Sequence, residues 1–122
     1  MILEVDENGT WWEKIPCKLD SGASEWVLMP STAEAYPVKP SAASRNGINF
    51  VAANGTSIKN YGQKFMHCYD ADWKHKTVNV QIADVKSNLA AGMKIVQAGN
   101  RIILDEKGSY IENKATGGRF SV

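Results

Sequence analysis

The sequence predicts an all-β domain over residues 1–122, a closed barrel or sandwich with one short helix in its C-terminal half. Three observations carry this. The hairpin dipeptides Asn8-Gly9 and Asn54-Gly55 punctuate the chain. The segments between turns are rich in β-branched and aromatic residues. Only one late stretch has helical period.

The elements follow in order. Strands are expected over 10–19, 48–53, 57–69, 73–83, 101–105 and 109–112. In the first, Ile15, Cys17 and Leu19 alternate with Pro16, Lys18 and Asp20, so one face is apolar and the other is not. Cys17 is therefore read as a small buried hydrophobe. Pro30, Pro37 and Pro40 mark 30–47 as a surface loop with a short extended piece. Asn54-Gly55 is read as a two-residue turn with both residues at positive φ, as is Asn8-Gly9. Asp70-Ala71-Asp72 and Glu106-Lys107-Gly108 are further turns. The helix takes Ser87 as N-cap, Leu89, Met93 and Val96 as its apolar stripe, and Gly99 as the residue past its end. Gly92 costs a helix interior about 1 kcal/mol against alanine. It is read as preceding the regular helix, where backbone approaches closely.

Composition excludes several classes. With 43% hydrophobic and 22% charged residues the chain is not disordered, and with no run of about 18 apolar residues no transmembrane helix is expected. A net charge of +1 carries no basic excess that argues for nucleic acid and no acidic excess that argues against it, and no nucleic-acid partner is expected. The acidic N-terminus lacks a secretory pattern, so an intracellular location and no membrane partner are expected. Without that pattern the Asn-Gly-Thr triplets at 8–10 and 54–56 read as turns rather than glycosylation sites. Cys17, His67, Cys68 and His75 have no zinc-ligand spacing, and neither metal nor cofactor is expected. Trp11, Trp12, Trp26 and Trp73 read as core or cross-strand aromatics rather than a stacking surface.

Asp20-Ser21-Gly22-Ala23 carries the chemistry. An aspartate ending a half-buried strand, followed by a small hydroxyl residue and glycine, is a carboxylate presented by backbone in a tight turn. Such a group suits general acid–base work on water. By itself the string is also an ordinary turn. Two further segments add weight: Val27-Leu28, where an apolar strand resumes, and the run from Asn88 to Leu104.

With these, the chain resembles the retropepsins, the aspartic proteases of retroviruses and retrotransposons. The family motif is Asp-Thr/Ser-Gly-Ala followed by Val-Leu or similar. Its late motif is two apolar residues and a glycine, then a helix, a glycine and a final apolar strand. Ala90-Ala91-Gly92, Gly99 and the strand to Leu104 follow that order, and Asn88-Leu89 ahead of them resembles the copia-type retrotransposon members. The resemblance covers 15–104. There are three departures. Where retroviral members pair an acid after the alanine with an arginine after the late glycine, this chain has Ser24 and Met93, so that pair is expected to be lost. The tip at Asn54-Gly55 holds the sole glycine of the expected flap, Phe50 to Ile58. About 18 residues follow the last family strand, which sets the shared terminal sheet of the retroviral dimers in question.

The resemblance implies an aspartic endopeptidase working as a homodimer on an extended peptide or polyprotein. Asp20, Ser21 and Gly22 would be catalytic: Asp20 as half of a carboxylate dyad, Ser21 bonding across the two-fold axis, Gly22 admitting substrate backbone. Ala23, Leu28, Val51, Asn54, Gly55 and Ile95 are the implied substrate-binding residues. Two other readings stand beside this one. The first is a catalytically silent peptide-binding or assembly domain on the same fold. The second is a small β-barrel binding module in which Asp20-Ser21-Gly22 is only a turn.

Overall fold

A computed structural model describes residues 2–7, 11–52, 54–69 and 75–121. The turn at Asn8-Gly9, the turn at Asp70-Ala71-Asp72 and Trp73 lie outside these residues. Among the described residues there are twelve strands and two helices: β1 (Ile2–Glu7), β2 (Trp11–Pro16), β3 (Lys18–Asp20), β4 (Val27–Leu28), α1 (Ala42–Arg45), β5 (Phe50–Val51), β6 (Ser57–Ile58), β7 (Asn60–Tyr69), β8 (His75–Ala83), β9 (Leu89–Ala91), α2 (Gly92–Gln97), β10 (Asn100–Ile103), β11 (Tyr110–Asn113) and β12 (Arg119–Ser121).

Seven strands form one sheet in the order β2-β1-β7-β8-β4-β9-β3. Its two edges, β2 and β3, are consecutive in the chain with only Cys17 between them. The edges therefore meet, and the sheet curls round its own core. The centre of that core is Ile15, Cys17, Leu28, Met66, Val80 and Ile82, all buried. Alternation explains the membership: Ile15 and Cys17 point inward from one side, Met66 and Val80 from the other.

One buried residue breaks that apolar pattern. Lys64, on the inward face of β7, is 2% exposed. Its ammonium donates to the carbonyls of Thr32 (3.0 Å) and Ala33 (2.8 Å). Ala33 is the one non-glycine residue at positive φ (53°) among those described. The lysine thus fastens a loop conformation that alanine adopts only at a cost.

The 30–47 segment contains the expected extended piece, since Lys39 bridges to Gln63 through two backbone hydrogen bonds of 2.8 Å. Gly62 makes this approach possible, because a Cβ there would collide with the Lys39 carbonyl. The segment also contains α1, one helical turn absent from the sequence reading. Ser41 and Ser44 cap it reciprocally, with serine in the place where Glu or Gln is the usual signal.

The late helix differs from expectation in its start and its face. Ser87 is not its N-cap; Ala91 is, and Leu89–Ala91 form β9. Slotting between β3 and β4 outweighs the helical period: Ala90 and Ala91 are completely buried there. The inward face of α2 is Gly92 and Ile95, whereas Met93 (47%) and Val96 (38%) are exposed. Its end is as read, with Gly99 at φ 94° just past the Ala98 cap.

The last segment is no loose tail. β10, β11 and β12 form a three-stranded antiparallel sheet, and Ile111 of β11 is fully buried in the common core. The Glu106-Lys107-Gly108 turn joins its first two strands, with Asp105 Oδ1 accepting from the Lys107 N–H at 2.9 Å. No helix among the described residues is long and apolar enough to cross a membrane.

Candidate active site

Asp20 is the last residue of β3, paired in register with Ala91 of β9. Leu19 packs against the core, so Lys18 and Asp20 point the other way. After Asp20 the chain turns at once. The Gly22 N–H donates to Asp20 Oδ1 at 2.9 Å, and the Ala23 N–H donates to the Asp20 carbonyl at 3.2 Å. This is the self-capping turn that short acidic side chains favour. It fixes the carboxylate by one oxygen. Asp20 is half-buried, while Ser21 and Gly22 are exposed, so the turn presents its chemistry on an open face.

Three devices hold the turn from behind. Gly92 packs directly beneath it: a Cβ there would lie 2.9 Å from both the Asp20 carbonyl oxygen and the Ser21 Cα. The close approach expected of Gly92 is therefore real, although the residue begins α2 rather than preceding it. The second device is an ion pair. Ser24 and Met93 are indeed unpaired with one another, but Lys94 Nζ meets Glu25 Oε2 at 2.7 Å, one residue further on at both ends. Both side chains are about two-fifths exposed, so the pair contributes at most about 1 kcal/mol. It nonetheless ties the far end of the turn to α2. Counting positions strictly from the two glycine motifs hid it.

The third device is Asn88, which is buried. Its Oδ1 accepts from the Met29 N–H (2.9 Å) and the Thr32 hydroxyl (3.1 Å), its Nδ2 donates to the Pro16 carbonyl (3.4 Å), and its carbonyl accepts from the Lys18 N–H (2.8 Å). One residue thus joins the chain before β3, the chain after β4 and the start of β9. Asn88→Ala would remove the side-chain bonds to the Met29 N–H, the Thr32 hydroxyl and the Pro16 carbonyl while keeping the backbone bond from Lys18, and the expected loss is about 2–4 kcal/mol in denaturant unfolding. A loss under about 1 kcal/mol would contradict this bracing role.

The remaining sequence-selected residues fall in two places. Val51, Asn54 and Gly55 lie on the β5–β6 hairpin, and Val51 is 74% exposed. That hairpin does not use a two-residue turn. The Ala52 N–H donates to the Thr56 carbonyl and the Gly55 N–H to the Ala52 carbonyl, which leaves three residues in the loop. Gly55 takes positive φ (84°), whereas Asn54 does not and instead accepts from the Thr56 N–H. Leu28 and Ile95 lie in the core.

Among the depressions that border β3, two bear on the site. A cleft of 540 Å3 separates the hairpin from the 84–89 segment, with Lys18 at its side. A groove of 760 Å3 runs past Ser21 between β3, α2 and β10, and includes the exposed Met93, Val96 and Leu104.

No family model matches the chain, and no curated protein matches it. Among solved structures it is similar to EIAV protease complexed with the inhibitor HBY-793. The TM-score is 0.61 over 85% of this chain and 90% of that one, at 14% identity. The fold is retropepsin-like.

Proposed function

We propose that the chain is an aspartic endopeptidase of the retropepsin type, active as a homodimer on an extended peptide or a segment of a polyprotein. The observation that carries this is a lone Asp-Ser-Gly-Ala turn, on a retropepsin-like fold, whose aspartate is held by backbone and faces outward from an open surface.

Asp20 of one chain would meet Asp20 of the other across a two-fold axis. Two carboxylates about 3 Å apart do not both ionise readily, so the pair shares one proton. The ionised member takes a proton from water as its oxygen attacks the scissile carbonyl carbon. The protonated member gives its proton to the carbonyl oxygen. The tetrahedral diol then collapses: one carboxyl gives its proton to the amide nitrogen, the other carboxylate takes a hydroxyl proton from the diol, and the C–N bond breaks without a covalent enzyme intermediate, which returns the pair to its singly protonated state. Ser21 would hydrogen-bond across the axis. Gly22, with no side chain over the turn, would admit substrate backbone. The β5–β6 hairpin would cover a peptide bound by strand addition. Support for two chains comes from the apolar groove beside Ser21, where Met93 and Leu104 are 47% and 75% exposed.

If the site is shared, specific activity depends on concentration. It is expected to fall on dilution below the dimer dissociation constant and to recover on reconcentration. Turnover by a monomer, constant across that dilution series, would reject the shared site.

A further inference from the structure

The cleft between the hairpin and the 84–89 segment has a charge pattern that the catalytic turn does not account for. Lys18 lies on the same face of β3 as Asp20, two residues before it, a strand distance of about 7 Å. Both Lys18 and Lys86 line the cleft, and the one carboxylate beside them is Asp84. The rest of the polar lining is neutral: Asn54, Thr56 and Ser87 among it. Among the described residues neither lysine has an ion-pair partner. The backbone that carries Lys18 is fixed, since its N–H donates to the Asn88 carbonyl at 2.8 Å and its Cα is registered to Leu89. Lys18 also borders the groove past Ser21, so it stands between the two depressions.

We infer that this cleft is a specificity subsite for an acidic side chain, with Lys18 as its principal determinant and Lys86 as its second. The inference rests on the peptide reading above and names the substrate class: a peptide with Glu or Asp within a residue or two of the bond that Asp20 addresses. Two cations stand against one carboxylate in the cleft's lining, with Asp20 two residues further along β3. An acidic side chain entering it gains a charge partner, a neutral one gains none, and a basic one is repelled. The cleft is open to solvent, so the preference weakens as salt rises.

The test reads binding and cleavage separately. Full-length Asp20→Asn protein, its folding checked by thermal melting, is titrated with extended peptide libraries. These carry a fixed Glu, or a fixed Gln, at each position flanking a central apolar pair in turn. At low salt the Glu library is expected to bind about fivefold more tightly at one flanking position. Adding Lys18→Gln is expected to shrink that advantage to about twofold or less, and adding Lys86→Gln to erase it. Equal binding of Glu and Gln libraries, no binding of either, or an advantage that survives both substitutions overturns the inference. Cleavage of the same libraries by the unsubstituted protein separates it from the endopeptidase reading. Cleavage without acidic preference removes the subsite and keeps the enzyme. Acid-selective binding without cleavage keeps the subsite and removes the enzyme.

Discussion

Asp20→Asn is expected to lower kcat/KM for peptide cleavage by about four orders of magnitude while leaving the fold intact. The two halves of this expectation have separate causes. An amide can neither take a proton from water nor hold one for the substrate carbonyl, so the chemistry is lost. Its oxygen can still accept the 2.9 Å hydrogen bond from the Gly22 N–H, so the turn survives. Cleavage of a fluorogenic peptide and thermal unfolding, measured on one preparation, check both. An active variant would place the chemistry elsewhere. An unfolded one would show that the Asp20 charge, rather than its turn geometry, holds β3 in place.

Gly92→Val is expected to disable the protein by another route. The added Cβ would sit 2.9 Å from the Asp20 carbonyl oxygen and from the Ser21 Cα, and both are backbone atoms that cannot swing aside. Either β3 or the start of α2 must move. The expected cost is about 3 kcal/mol in denaturant unfolding, with loss of cleavage in whatever fraction remains folded. Gly92→Ala makes the same contact with fewer atoms and is expected to fall between the two. Unchanged stability in the valine variant would mean that the turn and α2 are not packed together.

Much of this arrangement is legible in the sequence. Alternation of Ile15, Cys17 and Leu19 located the inward face of the strand and so the outward face that carries Asp20. Gly92 and Gly99 marked a close approach and a helix end, and both are used that way. What was missed was long-range. Leu89, Met93 and Val96 have helical spacing, yet Leu89 pairs with Lys18 and Val27, because sheet partners distant in sequence outweigh a local period. Ile2 to Glu7 lies ahead of the Asn8-Gly9 turn signal and has no strand signature of its own in the sequence, although its pairing with β2 runs through six registered positions. Lys64 in a strand pattern reads as a solvent-facing residue. Only the loop carbonyls of Thr32 and Ala33, more than thirty positions away, show why it is buried. The Glu25–Lys94 pair also escaped the sequence, since it lies one residue beyond each of the two positions at which retroviral members carry theirs, an offset that only the folded turn makes visible.

The claim that each catalytic centre takes one aspartate from each of two chains is tested most directly by subunit mixing. Unsubstituted protein is held at fixed concentration, allowed to exchange with increasing Asp20→Asn protein, and assayed for cleavage. If the dyad is shared, every mixed dimer is inactive. An equimolar mixture then retains about half the starting rate, and a large excess of the variant drives the rate toward zero. A rate that stays constant through complete exchange, with mixed dimers demonstrated by mass, would mean that each chain carries its own complete site, and the account would be wrong.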